Sequence, residues 1–362
     1  MSKMTNTQGS ATRAGLAALM LIAGLGVLAP KDAPADVLYV GDTGDNTIKG
    51  FDTDTGAYLG AIVKRSLAGL HGPRGILLDA GGNLIVSDQN AQTSASGDIL
   101  QYDSASGKLI NRIVPHSDPN APSVPRGIVL SEDGGLFVAD VTAQTQERKP
   151  VTPGRVRVYT QDGVFLADLV PDSSFPLEQF HPRALVIGPD GDLYVSNMPN
   201  PPPPAGNGLG GDVLRFTTGG DFIDAFVQDP GGVGQLNRPE GLVFGPDGRL
   251  YITSFRANAD DIDSIRVYDS DGSYADSIAL DAVGEPRAFA QALLFGPDGR
   301  LFVPISGSGP DNGPDTGAVR RYDPGTHDYD DFVPPSAQGG PLGAPWYLSF
   351  GATDPATLDY LQ

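Results

Sequence analysis

Residues 238–253 read RPEGLVFGPDGRLYIT: two short apolar runs, Leu242–Phe244 and Leu250–Ile252, on either side of Gly245-Pro246-Asp247-Gly248. Proline at the second turn position presets φ, the aspartate bonds its own backbone, and the closing glycine can take φ > 0. The runs are too short for helices, and the tight turn between them makes a β-hairpin. The unit recurs as RGILLDAGGNLIVSD from Arg74, RGIVLSEDGGLFVAD from Arg126, RALVIGPDGDLYVSN from Arg183 and QALLFGPDGRLFVPI from Gln291. Self-similarity at about 50–57 residues marks a repeat architecture.

Each hairpin is followed by a third strand that ends in an aromatic residue: Phe51, Tyr102, Tyr159, Phe216, Tyr268 and Tyr322. A polar turn and a fourth strand come next, from YLGAIV at Tyr58 to YDDFV at Tyr329. Nothing after residue 35 has helical periodicity. Four-stranded antiparallel units that are each too small to stand alone build a β-propeller. The expected fold is therefore all-β, with six blades in one domain over residues 36–362, after a separate segment over 1–35. The chain enters on a second-type strand, Asp36–Val40, and the missing inner strand reappears as Trp346–Phe350, which would close the ring. Thr357–Leu361 also reads as a second-type strand and competes for that slot.

The chain has 362 residues with Gly 48 and Pro 32, which fall at the repeated turns and in loops rather than marking disorder. It has no cysteine, which excludes disulfides, thiolate metal sites and a cysteine nucleophile. Net charge is −20, so phosphate backbones and anionic membranes are repelled and nucleic acid is excluded as a partner. Lys3 and Arg13 precede the apolar run Ala14–Pro30, and Ala33-Pro34-Ala35 offers a cleavage site, the layout of a secretory signal peptide. Removing residues 1–35 takes Lys3, Arg13, Lys31 and Asp32 with it, moving the charge from −20 to −22. The expected mature protein is exported to the periplasm or beyond, is free of the membrane, and is a monomer.

Loop length points to a functional face. The turns within the hairpins are tight, whereas the long connections (residues 89–97, 142–154, 198–211, 256–263 and 306–316, with 117–125 and 229–237) all join second to third or fourth to first strands. In an up-and-down blade those two kinds of loop leave the same side of the disc, which in repeat proteins is commonly the binding face.

The first blade, LYVGDTGDNTIKGFDTDTGAYLGAI from Leu38, resembles the NHL repeat, with Asp42 and Asn46 matching its Asp-x-x-x-Asn loop. The G-P-D-G hairpins are similar to propellers of the SMP-30/gluconolactonase superfamily and of the streptogramin lyase group. The resemblance covers roughly residues 36–350. It implies one of three functions: a binding propeller, a metal-dependent lactone hydrolase, or a metal-assisted lyase.

One register within the hairpins carries candidate chemistry. Arg74 and Asp88 stand fourteen residues apart, as do Arg126 and Asp140, Arg183 and Asn197, Glu240 and Ser254, and Gln291 and Ile305. Each pair is expected to face across its hairpin, with Trp346 and Asp42 at the closing position. The first members form a ring of Arg74, Arg126, Arg183, Glu240, Gln291 and Trp346 around one pore mouth. Arg74–Asp88 and Arg126–Asp140 also fit cross-strand charge pairs that fix register. As a ring, the arginine forks suit a small anionic or polyhydroxy ligand in a concave mouth, with an extracellular protein as the other candidate partner. The superfamily's hydrolases hold a divalent cation with Glu, Asn and Asp, and the matching positions here are Glu240, Asn197, Asp140 and Asp88. Calcium wants six to eight oxygens, and three arginines at the same mouth oppose it. No cofactor is therefore favoured, and Ca2+ is the one to test. His181, just ahead of Pro182-Arg183, is a candidate general base, as Glu240 is a candidate catalytic carboxylate. HExxH, G-x-S-x-G and phosphate-loop motifs are absent. Asp52-Thr53-Asp54 and Asp269–Gly272 read as turns rather than calcium loops. Pro201–Pro204 and the glycine-rich stretch after them read as a spacer.

Overall fold

The computed structural model describes residues 36–64, 69–91, 93–142, 153–199, 210–228, 235–307 and 313–361. The segment read as a signal peptide, the Pro201–Pro204 spacer and parts of five of the long connections lie outside these residues. Six four-stranded antiparallel sheets form the blades of a propeller. The inner strands run Pro73–Leu78, Pro125–Leu130, Pro182–Ile187, Leu242–Phe244, Leu294–Phe295 and Pro345–Phe350. The last of these pairs antiparallel with Val37–Asp42, so the C-terminal strand completes the first blade and closes the ring. The competing stretch takes no such place. Residues 351–361 instead fold into a small hairpin bridged at Thr353 and Tyr360, away from the sheet edge.

The cores lie between blades. The aromatic at the end of each third strand is fully or almost fully buried. Tyr102 of the second blade sits among Tyr39, Ile48 and Val63 of the first. In the same way Tyr159 meets the second blade, Phe216 the third and Tyr268 the fourth. Within its own blade such an aromatic meets the fourth strand on one side, as Phe216 meets Phe222 at 5.3 Å, and the neighbouring blade completes its burial. Inner strands are buried except at Arg126 and Trp346, whereas the outer strand Tyr58–Val63 stays exposed or half-buried until its last residue. The inner strands also press against each other. A Cβ placed on Gly127 would come within 2.7 Å of Ala184 Cα, and one on Gly241 within 2.6 Å of Ala292 Cα. The small residue after the ring position in blades two to six is therefore set by how closely the strands approach, whereas the closing blade carries Tyr347 there.

The pairing expected at the pore mouth is corrected in four blades; at the closing one Pro345, not Trp346, lies opposite Asp42. Pro73, not Arg74, lies opposite Asp88, and the next pair is Ile76 with Val86. The same shift places Pro125 opposite Asp140 and Pro182 opposite Asn197. Two residues face one, which is a β-bulge, and the bulge turns the arginine side chain out of the ladder.

Candidate functional site

The bulges send the arginines and the ladder-end carboxylates in different directions. Asp88 is buried and accepts the His71 backbone N–H at 2.9 Å. Asp140 accepts from the N–H groups of Ser123 and Val124 and from Arg157 Nε at 3.1 Å. Asn197 Oδ1 accepts the His181 N–H at 2.7 Å, and Ser254 Oγ accepts the Asn237 N–H at 2.9 Å. Asp42 does the same at the closing blade, accepting from Gly343, Ala344 and Lys49. These side chains fasten each incoming loop to its blade. The charge pairs expected between Arg74 and Asp88 and between Arg126 and Asp140 do not form.

The first members of the register do meet. Arg74, Arg126, Arg183, Glu240, Gln291 and Trp346 line one cavity of about 860 Å3, together with residues from the loops on that side. Asp88, Asp140, Asn197 and His181 do not line it. His181 is buried, so the role of general base falls on a side chain that does not face the cavity.

The cavity floor is electrostatically unbalanced. Arg126 Nη1 donates to Gln291 Oε1 at 3.1 Å and stands 3.7 Å from Glu240 Oε2. Arg183 Nε stands 3.9 Å from Glu240 Oε1. Arg74 donates to the Pro73 carbonyl at 3.0 Å and lies over the Trp346 ring at 3.9 Å, a cation–π contact. One carboxylate thus faces three guanidinium groups, and the Nε atoms of all three are buried without a hydrogen-bond partner. Burial, reinforced by Arg126, pushes Arg74 down to about 9, and burial pushes Arg183 down to about 10. An arginine keeps its proton through the physiological range, so these depressions express the cost of holding surplus cations out of water. Tyr347 stands within reach of the same charges. Its hydroxyl is buried without a hydrogen-bond partner and is pushed up to about 12, mainly by burial. It is therefore a neutral donor at physiological pH.

The fit of this donor set to a divalent cation is poor. Of the four positions carried by the resemblance, only Glu240 faces the cavity, and it stands between two arginines. Asp88, Asp140 and Asn197 spend their oxygens on backbone N–H groups. Among the described residues no group of three His, Cys, Asp or Glu side chains is placed to hold a metal. The Asp52 and Asp271 clusters bind their own turns, accepting from the N–H groups of Thr55 and Ser273.

Three side chains of the mouth were not legible in the hairpin register: Arg238, Phe255 and Phe289. Arg238 and Phe289 precede Glu240 and Gln291 by two positions and take φ of 47° and 50°. Their place two residues before a ring position was readable. Their left-handed backbone was not, since no glycine announces it.

No family model matches the chain, and no curated protein matches it. Among solved structures it is similar to the periplasmic gluconolactonase of Pseudomonas aeruginosa, at 18% identity over 87% of this chain and 98% of that one, with a TM-score of 0.52. It is also similar to a catalytically inactive virginiamycin B lyase from Staphylococcus aureus with quinupristin, at 15% identity over 88% and 92%, TM-score 0.51. A luciferin-regenerating enzyme matches at 15% identity over 74% and 80%, TM-score 0.50. At these identities the likeness establishes the fold, a six-bladed propeller of the kind those enzymes share. The gluconolactonase-like and lyase-like expectation is met at that level.

Proposed function

We propose that the protein is an exported, monomeric propeller that binds a small anion in its loop-lined mouth. The carrying observation is the excess of guanidinium groups on the cavity floor: three arginines against Glu240, with Arg74 and Arg183 almost wholly buried and the Nε atoms of all three unpartnered. A carboxylate or other small anion would supply the missing charge and accept from the forks. Tyr347 adds a neutral donor near the same charges. Export rests on the N-terminal segment, and the periplasmic location printed for one structural neighbour is compatible with it.

The test is calorimetry on the mature chain with a panel of small carboxylates and inorganic phosphate. Hydrogen bonds to charged groups are worth about 1.5–3 kcal/mol, so Arg183→Gln and Arg126→Ala should each weaken the bound anion by about tenfold to a hundredfold. Affinities unchanged in both variants would end the proposal. A second reading, lactone hydrolysis or lyase chemistry with Glu240 as the reacting carboxylate, draws on the fold likeness and on Glu240 facing the cavity. Its check is a lactone screen with and without added Ca2+ after chelation. Turnover that depends on calcium and is lost in Glu240→Gln would favour it over simple binding.

A further inference from the structure

The mouth has two unlike halves. Blades two, three and four supply Arg74, Arg126 and Arg183, whereas the fifth, sixth and first supply the rings of Phe255, Phe289 and Trp346 beside Arg238, Glu240 and Gln291. Phe255 and Phe289 stack with centroids 4.6 Å apart at 18°, and Trp346 stands 6.3 Å from Phe289, edge toward face. Phe289 reaches this place through a backbone that a bulky L-residue rarely adopts. Its N–H is pinned by the Asp263 carboxylate at 2.8 Å, and the neighbouring Arg287 donates to the same carboxylate at 2.6 Å. Arg238, the equivalent residue one blade earlier, takes the same conformation, and its Nη2 donates to the Arg256 carbonyl at 2.8 Å. A left-handed residue held by surrounding contacts, at the lip of a cavity and in two consecutive blades, is the kind of strain that accompanies ligand sites. Phe289 and Trp346 are only partly buried, so apolar ring surface still faces the cavity.

We propose that the ligand is an aromatic carboxylate: the carboxylate seats on the arginine half, and its ring lies against the wall of Phe289, Phe255 and Trp346. This deepens the anion-binding reading and rests on it. The arginine half fixes the charge, and the opposite wall, within one cavity, fixes what the charge is attached to. Aromatic rings prefer offset or edge-on contacts with other rings, and the mixed angles of this wall offer both.

Trp346 is the single tryptophan of the chain, so its fluorescence reports directly on the cavity. Wild-type protein is titrated with acetate, benzoate and glucuronate at constant ionic strength, with calorimetry in parallel. Benzoate should bind about tenfold more tightly than acetate, and glucuronate no more tightly than acetate. Phe289→Gly keeps the left-handed backbone and should bring benzoate to within about twofold of acetate; Phe255→Leu serves as a second variant. Equal affinities for acetate and benzoate in the wild type, glucuronate matching benzoate, or a benzoate preference that survives both variants, would overturn the aromatic assignment and leave the anion site standing. If acetate and benzoate both fail to bind, or both bind Arg183→Gln as well as wild type, the anion reading itself falls.

Discussion

Asp88 shows how a single side chain in this fold serves the loops rather than the mouth. Its carboxylate has no exposed surface, and burial raises it to about 6 although the His71 N–H opposes the shift. An acid whose folded value lies above its unfolded value contributes stability below about pH 4 and loses it as the pH rises through 6. Wild-type protein therefore carries an electrostatic penalty at neutral pH at this position. Asp88→Asn keeps an acceptor for the His71 N–H and removes the charge. It should stabilise the protein by roughly 2 kcal/mol at pH 7.5 and by almost nothing at pH 4. Urea unfolding at the two pH values checks this, and equal effects at both would show that burial does not raise the Asp88 carboxyl. The arginines face the opposite situation, since they have no uncharged form to fall back on and only a bound anion can relieve them.

At the scale of the element, the C-terminal tail closes what the last strand has fastened. The carbonyls of Pro355 and Ala356 accept the N–H groups of Leu130 and Ile187 at 2.9 and 3.0 Å, so the tail ties onto the ends of two inner strands. Leu358, at φ 60°, reaches a narrow apolar channel lined by inner-strand residues of all six blades. The sequence expectation for this segment was a strand, because Leu358 and Tyr360 alternate with polar neighbours. The sheet edge was already taken by Pro345–Phe350, and the next apolar surface within reach was the channel. Leu358→Ala should cost about 2 kcal/mol, the lower end for a leucine truncated in a packed site. The chemical-denaturation midpoint should fall with the slope unchanged, and acetate binding at the mouth should stay as it was. A loss of binding would mean that the two ends of the channel are coupled.

The whole molecule depends on a contact between its two ends. Asp42 accepts N–H groups from Gly343 and Ala344, some 300 positions away in the chain, and also holds Lys49 at 2.6 Å. Without that closure the first blade lacks its inner strand, and Phe302 and Phe332 of the last blade lose the Phe350 side of their cluster. A chain ending at Gly340 should therefore unfold without a cooperative transition. A peptide covering residues 341–361, added in trans, should restore the transition measured by calorimetry. Cooperative melting of the shortened chain alone would show that five complete blades suffice. Long-range closure also predicts slow refolding, because the entropy of joining distant segments is lost before the contact is made.

The strands, their order, the blade count and the closing strand were all legible in the sequence, because a strand's side-chain period and a turn's φ requirements are local properties of the chain. The ring of Arg74, Arg126, Arg183, Glu240, Gln291 and Trp346 was legible too, as one register repeated in every blade. The tertiary structure decided where each of those side chains points. A bulge of one residue separates the arginines from Asp88 and Asp140, and no spacing in the chain distinguishes a ladder pair from a bulged one. It also placed Phe255 and Phe289 at the mouth and the tail beneath the channel. Those positions follow from left-handed residues and from surfaces left open after the sheets have paired, and both depend on contacts between parts of the chain that are distant in sequence.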